Sequence, residues 1–378
     1  MNVPFRMADQ SSDIIELQDR LKAAREAYYN LSPVIDDATY DALKLKLEEL
    51  DPQNQEVTAV GAEAPKISVW DKVEHEIPMG SLNKVNSEAE FLSWADKHAL
   101  GTEYVVCHKL DGSSLELVYV DGELVRGVTR GDGRVGEDVT ANIMQIPSIP
   151  KTLLKKVPGK VFVRGEVIMH RDVFQTHYAV DYANPRNTAA GKLRDKRGEG
   201  KDCKNLEFYG FELVLDQQRP KFELISLMAL NSLGFKTPWY QVGTKEQVIL
   251  IFKEEIQKRD KVPYEIDGEV ISINNIEVQD ALGSLNMRPR GKIAWKFAAE
   301  MNVTTIKDVR WQVGPTGRIC PVAVLEPIKI GGVTITNVSL HNLKMFRELQ
   351  LAPGNEVLVS RRNDVIPYIE KNLSNDSE

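Results

Sequence analysis

Residues 103 to 114 read Glu-Tyr-Val-Val-Cys-His-Lys-Leu-Asp-Gly-Ser-Ser, an apolar alternating run that ends in a lysine and a turn. Side chains alternate between the two faces of a strand, so the run predicts a strand with Val105, Cys107 and Lys109 on one face. A lysine there can act as a nucleophile where burial or neighbouring cations lower its pKa. Taken alone, Lys-x-Asp-Gly is more often a surface lysine at a strand end, so the surrounding sequence has to decide.

A hairpin is predicted directly after this strand. Residues 115–120 alternate in polarity, and Asp121-Gly122 is a strong signal for a two-residue hairpin turn. The returning strand leads into Arg130 and the glycine-rich loop Gly131-Asp132-Gly133. We expect the hairpin to bring Arg130 back beside the strand of Lys109.

Three short motifs in this region together resemble the core of the NAD-dependent DNA ligases. They are Lys109-Leu-Asp-Gly112, Thr129-Arg-Gly-Asp-Gly133 and Gly136-Glu-Asp-Val-Thr140. The resemblance implies that Lys109 takes AMP from NAD and that Asp111 orients the 3′ end of the DNA or a metal ion. It also implies an α+β multidomain fold whose central part, residues 71–299, is a nucleotidyltransferase (adenylation) domain of antiparallel sheets with helices.

Composition bounds the class of protein. The chain has 378 residues, of which 42% are hydrophobic and 27% charged, enough for a sizeable core and two or three domains. Cys107, Cys203 and Cys320 are far apart in the sequence and odd in number, which predicts neither a disulfide framework nor a zinc site. No apolar run is long enough to span a membrane. We expect a cytoplasmic monomer.

The net charge of −7 is distributed unevenly. Residues 1–70 hold 7 basic and 13 acidic side chains, whereas the segment 184–205 holds seven basic and three acidic ones. A local basic stretch can contact phosphates whatever the total charge. Charge alone leaves open whether this segment binds nucleic acid or is a solvated loop.

Residues 1–70 predict a small helical domain, with Leu17 and Leu21 on one apolar face and a second helix capped by Asp37. From the residues alone, the acids at the start of that helix are capping and dipole-favoured groups. The stretch 27–41 nevertheless resembles the ligase module that binds the nicotinamide mononucleotide half of NAD. The resemblance implies dinucleotide contacts from four residues, whose ring and carboxylate groups suit a cationic nicotinamide and its ribose: Tyr28, Asp37, Tyr40 and Asp41.

Further nucleotide contacts are implied by resemblance in the central part. Pro78-Met-Gly-Ser-Leu82 is similar to the family's adenosine-contacting segment, which nominates Ser81 and Leu82. Glu166 matches a glutamate that faces the nucleotide ribose, while Arg130 is a second nucleoside contact. Glu166 lies in an otherwise apolar strand, where a carboxylate needs a partner such as a ribose, a metal ion or Arg164.

Several cations complete the implied site. Asn184-Pro-Arg-Asn187 is close to a family signature, and it nominates Arg186 and Arg194 to hold the DNA 5′-phosphate or the adenylate phosphate. Arg259 is a further cofactor contact. Lys296 shares a strand face with Lys292 by alternation, so it can point at the same pocket as Lys109.

Residues 300–371 are rich in β-branched residues with regular turn signals, which predicts a small barrel. The segment resembles the ligase oligonucleotide-binding (OB) fold, followed by a polar tail at 372–378. Bacterial ligases of this family usually continue into a zinc module, helix-hairpin-helix repeats and a BRCT domain. We therefore expect a short form that ends after the OB domain.

The sequence departs from the family pattern at three positions. Cys107 stands where the family has a glutamate that reads the adenine amino group, Ser272 where it has a lysine near the α-phosphate, and Pro315 where it has an arginine. The Ser272 change removes one cation from the site. We expect an additional Mg²⁺ to take over that charge.

The resemblance implies a ligase that uses NAD and Mg²⁺ to seal nicked duplex DNA through a lysyl-AMP. Two alternatives stay open. One is an ATP-dependent nucleotidyltransferase such as an RNA ligase, which differs in its leaving group. The other is a nick-binding protein that has lost adenylation through the change at Ser272.

Overall fold

The computed structural model describes most of the chain in two compact units. The larger unit comprises Met1–Val34 and Lys44–Phe297, and the smaller comprises Ile35–Leu43 and Ala298–Glu378. Residues 1–70 are not separated as a unit of their own, so that boundary stays a prediction. The described residues are 4–30, 37–59, 70–98, 103–182, 184–196, 200–215, 219–298, 301–313, 319–330, 333–340, 343–362 and 366–375.

Some helices begin or end where capping signals stand in the sequence. Thr244 and Gln247 form both hydrogen bonds of the predicted capping box, and Gly234 ends the preceding helix in a left-handed conformation. Leu17 and Leu21 are buried, which confirms the predicted apolar face of the first helix. The helices are α1 (Pro4–Asn30), α2 (Asp37–Leu50), α3 (Gln55–Thr58), α4 (Glu88–His98), α5 (Thr140–Ile143), α6 (Arg171–His177), α7 (Pro185–Leu193), α8 (Glu223–Leu233), α9 (Lys245–Lys258), α10 (Ile276–Leu282) and α11 (Leu343–Glu348).

The strands of the larger unit form two principal sheets. The first has the order β2-β13-β10-β3-β9 and the second β5-β4-β7-β8, while β1 pairs with β6 and β11 with β12. The strands are β1 (Lys72–Glu74), β2 (Asn83–Val85), β3 (Tyr104–Leu110), β4 (Ser113–Val120), β5 (Glu123–Thr129), β6 (Val135–Glu137), β7 (Lys160–Ile168), β8 (Glu207–Leu215), β9 (Tyr240–Gly243), β10 (Ile266–Ile273), β11 (Ser284–Leu285), β12 (Arg288–Pro289) and β13 (Lys292–Lys296).

The chain crosses from one principal sheet to the other at Asp111-Gly112. β3 ends at Leu110 in the first sheet and β4 begins at Ser113 in the second. The predicted Asp121-Gly122 hairpin is confirmed, but its returning strand β5 pairs with β4 and not with the strand of Lys109. Arg130 therefore lies at the end of the second sheet, because the crossover has already changed sheets.

β3 separates two hydrophobic cores, as its alternation predicts. Val105 and Cys107 belong to the core that includes Leu115 and Leu117 of the second sheet. Tyr104 and Val106 pack on the other side, in the core of α4 and α9. The face that carries Lys109 is thus turned towards the second sheet.

The smaller unit contains an antiparallel sheet with the order β16-β15-β14-β17-β18. Asn372, assigned from the sequence to a polar tail, is the buried last residue of the final strand, and its amide donates to the carbonyl oxygens of Leu349 and Gln350. No helix in the described ranges is both long and apolar enough to cross a bilayer. The strands are β14 (Met301–Val313), β15 (Ile319–Ile330), β16 (Val333–Ser339), β17 (Glu356–Arg362) and β18 (Ile366–Asn372).

Candidate active site

Lys109 lies beside a carboxylate that it shares with a second lysine. Its Nζ is 2.9 Å from Oδ2 of Asp267, and Nζ of Lys296 is 2.6 Å from the same oxygen. Burial alone would raise the pKa of Asp267, but the two ammonium groups outweigh burial and hold that pKa well below its usual range. The predicted convergence of Lys109 and Lys296 is confirmed.

A β-bulge on β10 forms this arrangement. Ile266 pairs with Leu110 and Glu269 with His108, so Asp267 and Gly268 together stand opposite Lys109. A Cβ on Gly268 would lie 2.2 Å from the carbonyl oxygen of Trp295, so the close approach of β13 requires glycine. The Asp-Gly pair thus fits a carboxylate and a tight backbone contact into one bulge.

Asp111 and Arg186 form an ion pair next to this cluster. Arg186 lies in the first turn of α7, where Asn184 accepts a hydrogen bond from the backbone N–H of Asn187 at 2.7 Å and Pro185 occupies the first helical position. The Asn-Pro-Arg-Asn signature is therefore a helix start that fixes the arginine. Burial raises the pKa of Asp111, and the Arg186 guanidinium opposes that rise.

Glu166 projects from β7 in the second sheet. Ser114 Oγ donates a hydrogen bond to its Oε2 at 2.8 Å. Burial raises the pKa of Glu166, and that rise is opposed by the charges of Arg186, Lys109 and Arg130. The two sheets and α7 thus bring cations and three acids from distant chain segments into one cleft, as expected of a site for a phosphorylated ligand.

Comparison with known proteins agrees with this geometry. Residues 67–300 match the family model for the NAD-dependent DNA ligase adenylation domain, and residues 303–378 match that for the NAD-dependent DNA ligase OB-fold domain. The chain belongs to the NAD-dependent DNA ligase family. The predicted α+β architecture with an adenylation domain and an OB-fold domain is confirmed.

Curated relatives are longer than this chain. A DNA ligase of Sorangium cellulosum (strain So ce56) is 39% identical over 386 residues, covering 95% of this chain and 56% of the relative. A DNA ligase of Halothermothrix orenii (strain H 168 / OCM 544 / DSM 9562) is 36% identical over 379 residues, covering 95% of this chain and 56% of the relative. The chain therefore spans a little over half the length of these ligases.

Three other ligase-like positions lie beside the strand of Lys296 or next to it. Ser81 and Leu82 are half-buried and directly precede β2, whose parallel register with β13 pairs Asn83 with Ile293 and so places them towards the Lys292 end of that strand. The Arg259 guanidinium carbon lies 5.5 Å from the ring centre of Phe297, the residue after Lys296. Their nucleotide contacts remain predictions.

Two departures from the ligase pattern lie further along the Lys109 face. Cys107 is buried, and burial raises the pKa of its thiol. Ser272 pairs with Val105, four residues from Lys109, or roughly 13 Å along the strand. Ser272 therefore does not contact Lys109, whose neighbours are Asp267 and Lys296. The role of position 272 towards the α-phosphate stays a prediction.

The basic segment is partly neutralised by its own neighbours. Arg194 is 2.9 Å from Glu137, Lys192 is 2.7 Å from Asp202, and Arg186 pairs with Asp111. Arg194 is therefore held against Glu137, at the end of α7 remote from Arg186. A phosphate bound by these arginines would have to exchange with carboxylates that already contact them.

The nicotinamide module is only partly covered by the structure. α2 begins at Asp37 as predicted, and Tyr40 is half-buried. The side chains of Tyr28, Asp37 and Asp41 lie outside the described residues. Their contacts with the dinucleotide stay predictions.

Sequence reasoning missed a buried polar group on the same sheet face. Lys292 of β13 forms an ion pair with Glu223 at the start of α8. The alternation of β13 placed Lys292 on the Lys296 face, but nothing in the local sequence around Glu223 indicated its partner. The pairing arises because the N-terminus of α8 lies beside the end of β10, where the backbone N–H of Glu223 donates to the carbonyl oxygen of Asn274.

Proposed function

We propose that this chain is the catalytic part of a ligase that seals 5′-phosphate/3′-hydroxyl nicks in duplex DNA with NAD. The observation that carries the proposal is the Lys109–Asp267–Lys296 cluster at the crossover between the two sheets. It places a nucleophilic amine beside a fixed cation. Membership of the ligase family supports the same assignment.

The proposed reaction has three transfers. Lys109 Nζ gives a proton to solvent and attacks the NAD α-phosphorus, forming a P–N bond while the bond to nicotinamide mononucleotide breaks. The 5′-phosphate oxygen of the nick then attacks the AMP phosphorus, the P–N bond breaks and Lys109 takes up a proton. The 3′-hydroxyl finally loses its proton to solvent and attacks the 5′-phosphorus, and AMP leaves as the phosphodiester forms. Asp267 orients both lysines, and Lys296 neutralises charge that develops on the α-phosphate.

We assign binding roles to the remaining residues of the site. Glu166 holds the ribose, Arg130 the nucleoside and Arg186 a phosphate, with Asp111 as the group that keeps Arg186 in place before the phosphate arrives. Tyr28, Asp37, Tyr40 and Asp41 bind the nicotinamide mononucleotide half.

Mg²⁺ would be carried by the substrate phosphates, where it would neutralise charge. Asp111 is paired with Arg186, and Asp267 with two lysines. Among the described residues, no three His, Cys, Asp or Glu side chains cluster as a metal site. No protein ligand is therefore assigned to the ion.

The test is self-adenylation of the full chain. Protein is incubated with Mg²⁺ and NAD labelled in the adenylate phosphate, separated on a denaturing gel, and mapped by mass spectrometry. We expect label on Lys109, none with Lys109→Arg, which keeps the charge beside Asp267, and normal labelling with the exposed control Lys97→Ala.

Other outcomes identify the alternatives. Labelling from ATP in place of NAD would indicate an ATP-dependent nucleotidyltransferase. Binding of a nicked duplex without labelling from either nucleotide would indicate a nick-binding protein.

A further inference from the structure

The Lys109 face of the first sheet has two charged ends and an apolar middle. Lys109 and Lys296 lie at one end, with Gly268 between their strands. The next row along the strands is Cys107, Val270 and Ala294, a row in which no side chain is larger than valine.

Ser272 and Lys292 form the row after that. They are directly paired across β10 and β13, and directly paired residues of antiparallel strands point to the same face. Two rows correspond to four residues, or roughly 13 Å along the strands. A phosphate, a ribose and a base laid end to end can span such a face. The Lys292 side chain ends at Glu223, whose backbone N–H donates to the carbonyl oxygen of Asn274, two residues past Ser272.

Lys292 and Glu223 form an ion pair that is largely buried but still partly exposed to solvent. Their side chains are 12% and 6% exposed, and Gln279 Nε2 donates to the second carboxylate oxygen of Glu223 at 3.1 Å. The nearby Glu212 carboxylate is 21% exposed, so solvent reaches this end of the face. Burial would raise the pKa of Glu212, but the charges of Arg164 and then Lys292 lower it to about 2.

The pair stands close to Cys107. Burial raises the pKa of the Cys107 thiol, the Glu223 carboxylate adds to the rise and the Lys292 ammonium opposes it. This end of the face therefore has an acid, Glu223, and a lysine, Lys292. Positions 107 and 272 themselves carry neither an acid nor a lysine.

On this geometry we infer that Glu223 and Lys292 read the purine edge of the bound nucleotide, with Glu223 accepting from the exocyclic amino group and Lys292 donating to the adjacent ring nitrogen. The inference rests on the proposed function, because it takes the adenylate to lie between this pair and Lys109. The row of Cys107, Val270 and Ala294 supplies the flat apolar surface against which the base lies. An adjacent acceptor and donor match the amino group and ring nitrogen of adenine.

The competing explanation is that the Glu223–Lys292 ion pair only holds the start of α8 against β13 and does not contact the nucleotide. Replacing a buried ion pair by neutral groups of similar size is often tolerated, whereas removing one partner leaves a buried charge. The informative variant is therefore the double change Glu223→Gln with Lys292→Met. Lys292→Arg keeps the charge pair and serves as the second variant.

The experiment compares self-adenylation from NAD with that from nicotinamide hypoxanthine dinucleotide, which carries an oxygen in place of the amino group. We expect the natural protein to prefer NAD on the order of a hundredfold in kcat/KM, and the double variant to lose at least about tenfold of that preference, mainly through KM for NAD. Lys292→Arg should raise KM for NAD while the melting temperature stays the same.

Failure of the inference is distinguishable from failure of the proposed function. Suppose that the natural protein adenylates Lys109, and that the double variant and Lys292→Arg both keep the natural preference for NAD and the natural KM for NAD. The ion pair is then purely structural and the inference is overturned. A double variant that does not fold leaves the decision to Lys292→Arg, whose KM is then decisive. Absence of adenylation in the natural protein would instead refute the proposed function.

Discussion

Asp267 and Glu269 stand two residues apart on β10, yet they lie on opposite faces of the sheet. Asp267 contacts Lys109 and Lys296, whose charges hold its pKa well below the usual range despite burial. Glu269 is fully buried beside His108, and neither of its carboxylate oxygens has a hydrogen-bond partner among the described residues. Burial and then the charges of Glu255 and Asp267 raise the pKa of Glu269 well above its ordinary value.

Burial acts in the same direction on both acids, so their partners decide the outcome. The Lys109 face provides two cations that favour the ionised carboxylate of Asp267, whereas the neighbours that act on the pKa of Glu269 are acids and favour its protonated form. Asp267 therefore belongs to the chemistry of the cleft, whereas Glu269 affects the stability of the core on the other face of the sheet. Three substitutions along β10 test that separation.

The largest expected effect is that of Asp267→Asn. The change removes the charge that holds Lys109 and Lys296 together, so we expect the single-turnover rate of Lys109 adenylation to fall on the order of a hundredfold or more. Glu269→Gln is the matched control, an acid-to-amide change on the same strand but the opposite face, and it should adenylate at the natural rate. Equal losses in both variants would show that the strand tolerates no amide and that the two faces are not distinct.

Glu269→Gln is expected to change the pH dependence of stability. The folded-state pKa of Glu269 is raised above its unfolded value, so its contribution is fully present below the unfolded pKa and is lost as pH rises towards the folded pKa. Within that window the natural protein should lose about 1.4 kcal/mol of unfolding free energy per pH unit relative to the variant. Urea melts of both proteins at several pH values above 4.5 would measure the difference; parallel curves would mean that Glu269 ionises normally in the fold.

The smallest expected effect is that of Ser272→Ala. Because Ser272 pairs with Val105 and not with Lys109, we expect the adenylation rate to change by less than about tenfold. The Mg²⁺ concentration for half-maximal adenylation should also stay the same. A clear rise in that concentration would restore the idea that Ser272 stands near the reacting phosphate.

Much of this site could be predicted from local sequence. Alternation correctly placed Lys109 and Cys107 on one face, and it placed Lys296 where it could meet Lys109. The helix start at Asn184 was not predicted, although it depends on residues within one turn and capping is a local interaction. Such features depend on neighbours three or four positions away.

The rest depends on pairings between distant segments. The position of Ser272 relative to Lys109 follows from strand register, which a family pattern does not reveal. Glu223 meets Lys292 only because the start of α8 lies beside Asn274 at the end of β10, and the two residues are 69 positions apart in the chain. The crossover at Asp111-Gly112 likewise placed Arg130 in the other sheet, although the hairpin itself was correctly predicted.

The bulge at Asp267-Gly268 has a consequence for insertions and deletions. The extra residue of the bulge changes which residues of β10 face each side of the sheet. Val270 and Ser272 point to the cleft, while Ile271 and Ile273 fill the opposite core. Deleting one residue here would exchange those two sets and turn isoleucines into the cleft. The number of residues in this segment is therefore constrained more strictly than their identity. We expect homologues to differ here by substitutions and not by insertions or deletions.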